Sequence, residues 1–151
     1  MDAVSYPQQT VVEFVTSEMV PLRIAASDET LTRRFNVTWT PTTLVLCPDG
    51  SEHYRSVGFL PPDELVPSLM LGIARAYFEG GRSEQSLNML ERLLARHPRS
   101  AAAPEAVFLQ GVVGYKTSHD AAALKGAHRR LQTEYPQSEW TKRAEPYGLL
   151  P

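Results

Sequence analysis

The chain has 151 residues, of which 42% are hydrophobic and 21% charged, and its formal net charge is −2 at pH 7. These values are typical of a globular protein with one domain or two small ones, and they give no electrostatic reason to expect a nucleic-acid partner. No apolar run approaches the ~20 residues that span a bilayer, and acidic Asp2 stands where a signal peptide has basic residues, so no membrane insertion is expected.

The first part of the chain alternates between helix and strand patterns. Apolar residues at helical spacing predict a helix over residues 10–19, and the apolar run that follows predicts a short strand over residues 20–26. Ser27 or Asp28 can then cap a second helix that ends at Phe35.

A β-hairpin is predicted next. Residues 42–47 are β-branched and apolar, Pro48-Asp49-Gly50 follows as a turn, and residues 53–57 resume the strand pattern. Pro61 and Pro62 then begin a helix, because proline is accepted in a first helical turn.

Cys47 is the only cysteine of the sequence, and it ends the first strand of that hairpin. An intramolecular disulfide and a C-x-x-C motif are both impossible, so the chain as written cannot perform dithiol–disulfide exchange. Because no Lys, Arg or His adjoins it in sequence, Cys47 is expected to be a buried and unreactive core thiol.

The second part of the chain is helical in character and repeats itself with an offset of 38 residues. A fixed offset is typical of a structural repeat, and it predicts two helical hairpins with turns near Gly80-Gly81 and Ser118-His119. The matching pairs are Tyr77 and Tyr115, Leu93 and Leu131, Pro98 and Pro136, Ser100 and Ser138, and Ala106 and Ala144.

The element order of the first part, and the run from Phe35 to Gly50, resemble the thioredoxin fold from its first helix onward. Pro41 matches the cis-proline of that family, so the Thr40–Pro41 peptide bond is predicted to be cis. Since the cis-proline loop of the family docks extended peptides, the resemblance implies a peptide-binding loop of Trp39, Thr40 and Pro41. The alternative is a turn with a structural role only, and Trp39 is expected to pack on the loop rather than to stand exposed.

The resemblance begins after the first strand and the C-x-x-C motif of the family, which are both absent. In the family that strand lies between the strands that residues 20–26 and 42–47 match, so these two lose their shared partner. Three solutions stay open: another chain lends a strand, as in a homodimer through unpaired sheet edges; the sheet rearranges, as by direct pairing of the two strands; or the chain is a fragment that starts at an internal methionine.

The second part resembles tetratricopeptide repeats. The residues that carry the resemblance are Ile73-Ala74-x-x-Tyr77, Ser86 at the small inter-helix position, Leu90 at the large apolar position and Pro98 at the close. The offset of 38 exceeds the usual ~34 and resembles a longer variant that is frequent in bacterial envelope proteins. Because two hairpins are marginal alone, docking on the first part or a capping helix over residues 140–147 is expected.

The predicted fold class is therefore α/β, with an incomplete thioredoxin-like sheet over residues 1–66, followed by all-α tetratricopeptide-like hairpins over residues 67–151. No catalytic residue, metal site or cofactor is predicted, since the histidines lie in separate elements. The leading hypothesis is a non-catalytic scaffold that binds a protein or peptide. The competing hypothesis is a fragment of a thiol–disulfide oxidoreductase whose C-x-x-C motif lies upstream of Met1. The cytoplasm and the bacterial envelope both stay open as compartments.

Overall fold

The computed structural model describes residues 1–150, which are mostly helical with one two-stranded antiparallel sheet. No helix within these residues is both long and apolar enough to cross a membrane. The elements in chain order are α1 (Gln9–Glu18), α2 (Glu29–Arg34), β1 (Thr42–Leu46), β2 (Glu52–Val57), α3 (Pro62–Glu79), α4 (Ser83–Arg96), α5 (Ala103–Ser118), α6 (Ala122–Glu134), α7 (Glu139–Ala144) and a closing 3₁₀ helix (Glu145–Leu149).

Both helices predicted in the first part are present. The helix predicted over residues 10–19 is α1, which turns Val11 and Phe14 into the core. Of the two residues that could cap the second helix, Asp28 is the N-cap of α2. Its carboxylate accepts the backbone N–H of Leu31 at 3.0 Å, which satisfies one of the free donors at the helix start.

The strand predicted over residues 20–26 is wrong. Residues 20–25 have no regular secondary structure, and the side chains of Val20 and Leu22 are 94% and 79% exposed. A strand forms only where a neighbouring strand accepts its backbone hydrogen bonds, and here β1 lies beside β2 alone. The direct pairing of residues 20–26 with β1 is therefore not found either.

The predicted β-hairpin is confirmed. β1 and β2 pair with Thr43 opposite Ser56 and Val45 opposite Tyr54, and a bulge follows Val45. Gly50 closes the turn with a φ of +85°, a conformation that glycine adopts without steric cost. Just before β1 the Thr40–Pro41 peptide bond is cis, as predicted. With only two strands in the described residues, the thioredoxin-like sheet is not confirmed.

Helix α3 lies at the centre of the molecule, and all of residues 65–74 are buried. One face of α3 meets the sheet at Gly72, where an added Cβ would lie 2.6 Å from a methyl carbon of Val45. Another face meets α4, where the buried Ser86 hydroxyl donates to the carbonyl of Ala74 at 2.8 Å. The small residues at positions 72 and 86 thus allow the sheet and α4 to approach the same helix.

The two predicted helical hairpins are α3–α4, with Gly80 and Gly81 at its turn, and α5–α6, with its turn at residues 119–121. Their second helices end at Arg96 and Glu134, which are 38 positions apart as the repeat predicts. A hydrogen bond joins the hairpins, because the Tyr135 hydroxyl donates to the Pro98 carbonyl at 2.8 Å.

Both contacts expected to support the hairpins are present. The β-hairpin and α1 pack on α3, while α7 and the 3₁₀ helix pack on α5 and α6. At the second contact, the Phe108 ring lies 5.1 Å from Trp140 and 5.4 Å from Tyr147, measured between ring centroids. The last hairpin therefore has its outer face covered by aromatic side chains.

Candidate functional site

The loop of Trp39, Thr40 and Pro41 is fixed at both ends. The Thr42 hydroxyl donates to the Trp39 carbonyl at 2.6 Å, and the backbone N–H of Gly58 donates to the Pro41 carbonyl at 2.8 Å. The expectation that Trp39 packs on the loop is wrong, because its side chain is 67% exposed. An aromatic side chain on a fixed loop offers a large contact area to a partner. Because the loop is already ordered, binding there would cost little conformational entropy.

A cleft of about 310 Å³ lies beside this loop. Trp39 and Thr40 line it together with Ala26, Thr32 and residues 37–38. Pro41 does not line the cleft. The structure thus brings two of the three predicted loop residues to one concave surface.

Cys47 is only half-buried, so the expectation of a buried core thiol is not met. Position 47 follows β1 directly, where the chain turns towards β2.

Four polar residues at the β-hairpin form a hydrogen-bonded chain. The Ser51 hydroxyl lies 3.2 Å from Nε2 of His53, whose Nδ1 lies 2.6 Å from a carboxylate oxygen of Glu79. This is the order of groups in a hydrolase triad. However, the single hydroxyl hydrogen of Ser51 is donated to Asp49 at 2.6 Å, and it lowers the pKa of that carboxyl. These contacts hold the turn to the end of α3.

The other histidines lie in separate elements, as the sequence indicates. Within residues 1–150, no three side chains of His, Cys, Asp or Glu converge on a point that could hold a metal ion.

A second concave surface, the hairpin cleft, lies between α5 and α6 and has a volume of about 260 Å³. Small residues dominate its lining, and no neighbouring side chain covers the position of Gly126 on α6. Arg130 donates to the amide oxygen of Gln110 at 3.4 Å and to Glu134 at 2.9 Å. The cleft is lined by Val107, Gln110, Gly111, Ala122, Ala123, Gly126, Ala127 and Arg130.

An ion pair between Arg75 on α3 and Glu105 on α5 links the two hairpins. Burial raises the pKa of the Glu105 carboxyl, although the neighbouring Arg75 guanidinium opposes this shift. The side chain of Glu105 is only 15% exposed, so its ionised form loses much of its hydration on folding.

The tetratricopeptide repeat family model matches residues 68–100. This stretch begins within α3, contains its turn to α4 and ends just beyond α4. Residues 68–100 form a tetratricopeptide-like repeat. Neither the curated proteins nor the solved structures gave a match to the chain.

The residues on which the repeat prediction was based lie where a tetratricopeptide-like hairpin places them. Ser86 and Leu90 of the tetratricopeptide-like repeat are fully buried against α3, and Tyr77 is half-buried at the end of α3. The Arg82 guanidinium covers the Tyr77 ring at 4.5 Å from its centroid. Sequence reasoning missed the Arg75–Glu105 ion pair and the hairpin cleft, since both need the packing of α5 on its neighbours.

Proposed function

We propose that the chain is a non-catalytic scaffold that binds a protein or peptide partner through its helical hairpins. The observation that carries this proposal is the tetratricopeptide repeat match at residues 68–100, which coincides with the α3–α4 hairpin. Proteins with this repeat usually mediate protein–protein interactions, because stacked hairpins present an extended concave surface. The α5–α6 hairpin continues the stack with the same spacing.

The hairpin cleft is the part of this surface that is best suited to a peptide backbone. Apart from the neighbouring residues and backbone of α6 itself, no atom of the described residues lies within 4 Å of the point where Gly126 would carry a Cβ. A partner can therefore approach the α6 backbone closely, while Gln110 and Arg130 offer polar groups at the rim.

The loop of Trp39, Thr40 and Pro41 is a second contact surface in this proposal. Its support is the exposed Trp39 side chain beside a cleft. The two-part organisation, with a thioredoxin-like part over residues 1–66 and tetratricopeptide-like repeats over residues 67–151, belongs to the same proposal. The boundary falls within α3, so the two parts share this helix.

The alternative function, a fragment of a thiol–disulfide oxidoreductase, receives no support from the described residues. Cys47 is the only cysteine in the sequence, and thiol–disulfide exchange requires an attacking and a resolving thiol.

The proposal is tested by selecting peptides from a displayed random library on the immobilised full chain. The selected peptides are then titrated against variants by fluorescence anisotropy. Gly126→Leu fills the hairpin cleft and is expected to weaken binding at least tenfold. Trp39→Ser removes the exposed aromatic side chain and tests whether the loop takes part in binding. The matched control is Gln132→Leu, which adds the same side chain at an exposed position of α6 outside the cleft. Failure to enrich any peptide, or equal affinity for all three variants, would contradict the proposal.

A further inference from the structure

The outer edge of β1 has no hydrogen-bonding partner. The Pro41 carbonyl accepts from Gly58, so position 41 faces β2. Because the backbone groups of antiparallel strands alternate in direction, Thr43 and Val45 face β2 as well, while Thr42, Leu44 and Leu46 face the opposite side. Within residues 1–150, no backbone hydrogen bond is made on that side, and the sheet has no third strand.

Nothing in the composition of β1 protects this edge from pairing. Natural edge strands are usually short, or contain a charged residue or a proline, and these features discourage pairing with a further strand. The sequence of β1 is Thr-Thr-Leu-Val-Leu, which has neither a charge nor a proline.

The same chain also contains an apolar segment without a partner, at residues 20–25. Val20, Leu22 and Ile24 alternate with other residues and are 94%, 79% and 36% exposed. In an extended chain this alternation places the three apolar side chains on one face. Arg23 of this segment forms an ion pair with Asp2 at 2.9 Å.

Pro21 is compatible with the addition of this segment to a sheet. If the backbone groups of Val20, Leu22 and Ile24 face β1, the position that lacks an N–H falls on the outer side. Proline is tolerated there, since the outer side of an edge strand needs no donor. The apolar side chains would then lie on the same face as those of Leu44 and Leu46.

The segment does not close onto β1 of its own chain. Ala26, which follows it, lines the cleft of about 310 Å³ together with Trp39 and Thr40, which precede β1. Within residues 1–150 the chain's own segment therefore leaves the outer backbone groups of β1 without a partner.

We propose that the chain forms a two-fold symmetric dimer in which residues 20–25 of each copy add as a strand to the outer edge of β1 of the other copy. The added strand is assigned to a second copy of the chain because each chain has one unpaired edge and one exposed apolar segment. When two copies exchange these segments, both edges gain a strand and both segments gain a neighbour. Such a contact is reciprocal and closes at two copies. The proposal does not depend on the peptide-binding function.

The experiment is light scattering after size-exclusion chromatography of the full chain over a range of concentrations. The wild type is expected to be a dimer, and Leu22→Asp is expected to raise the dimer dissociation constant at least tenfold. Leu22 is 79% exposed in the single chain, so this change should leave the circular dichroism spectrum unaltered. The matched control is Val12→Asp, which places the same charge at a 47% exposed valine on α1.

Hydrogen exchange locates the contact. The Leu44 amide is expected to be protected in the wild type and in Val12→Asp, and to exchange freely in Leu22→Asp. A monomer at every concentration, a polymer, a dimer that survives Leu22→Asp, or a dimer that both substitutions abolish would overturn the proposal.

Discussion

Two glycines of the α5–α6 hairpin lie in opposite surroundings. A Cβ added at Gly111 would lie 2.5 Å from the Cβ of Ala127, whereas one added at Gly126 would meet nothing within 4 Å. Both glycines are within helices, where alanine is intrinsically the better residue by about 1 kcal/mol. Position 111 therefore depends on the closeness of α5 and α6, and position 126 does not.

We predict opposite effects of the same substitution at these two positions. Gly111→Ala should lower the free energy of unfolding by about 1–3 kcal/mol, because the helices must separate to accept the methyl group. Gly126→Ala should leave it unchanged or raise it by up to about 1 kcal/mol. Urea denaturation followed by circular dichroism measures both. Equal effects at the two positions would show that the close approach of α5 and α6 is wrong.

The ionisation of Glu105 should make stability depend on pH. Since burial raises the pKa of this carboxyl in the folded state, the folded chain holds the proton more tightly than the unfolded chain. The wild type should therefore gain stability relative to Glu105→Gln as the pH falls from 7, and the gain should level off below the ordinary value of 4.5.

The measurement is urea denaturation of both proteins at several pH values. Glu91→Gln is the matched control, because Glu91 is exposed and has no hydrogen-bond or ion-pair partner within residues 1–150. A wild-type advantage that shrinks as the pH falls would show that the ion pair with Arg75 outweighs burial.

At the scale of the elements, the two tryptophans differ in their surroundings: one belongs to a packed helix and the other to an exposed loop. Trp140 on α7 is half-buried against Phe108, whereas Trp39 protrudes from the loop before β1. Trp140→Ala should lower the free energy of unfolding by about 2 kcal/mol, less than the about 3–5 kcal/mol of a fully buried aromatic residue. Trp39→Ala should change it by less than about 0.5 kcal/mol. Thermal unfolding of the two variants checks this, and a larger loss from Trp39→Ala would show that the loop packs in solution.

Elements that depend on local sequence were predictable, and those that depend on a distant partner were not. The β-hairpin follows from its turn residues, and the repeat follows from a fixed spacing of tyrosine, leucine and proline. Residues 20–26 have the composition of a strand, but a strand also needs a neighbour, and the sequence of the segment itself carries no information about one. The exposure of Trp39 was missed for the same reason, since it depends on what surrounds the loop in the folded chain.

The whole molecule is organised around α3. The Ser68 hydroxyl of this helix donates to the Tyr54 hydroxyl at 3.1 Å, and Gly72 lies one turn further on against the same strand. Other faces of α3 hold α1 and α4, and Arg75 reaches α5. The β-hairpin and the tetratricopeptide-like repeat are therefore built on one continuous helix instead of being joined by a linker.

A shared helix of this kind restricts changes of length more than changes of residue. One extra residue in the middle of α3 would rotate everything beyond it by about 100°, because an α-helix has 3.6 residues per turn. The residues before the insertion would keep their angle to the sheet, while those after it would turn relative to the sheet together with α4, which packs on them. The length of α3 thus determines the angle between the two parts of the molecule, and no substitution within either part could restore that angle once it was lost.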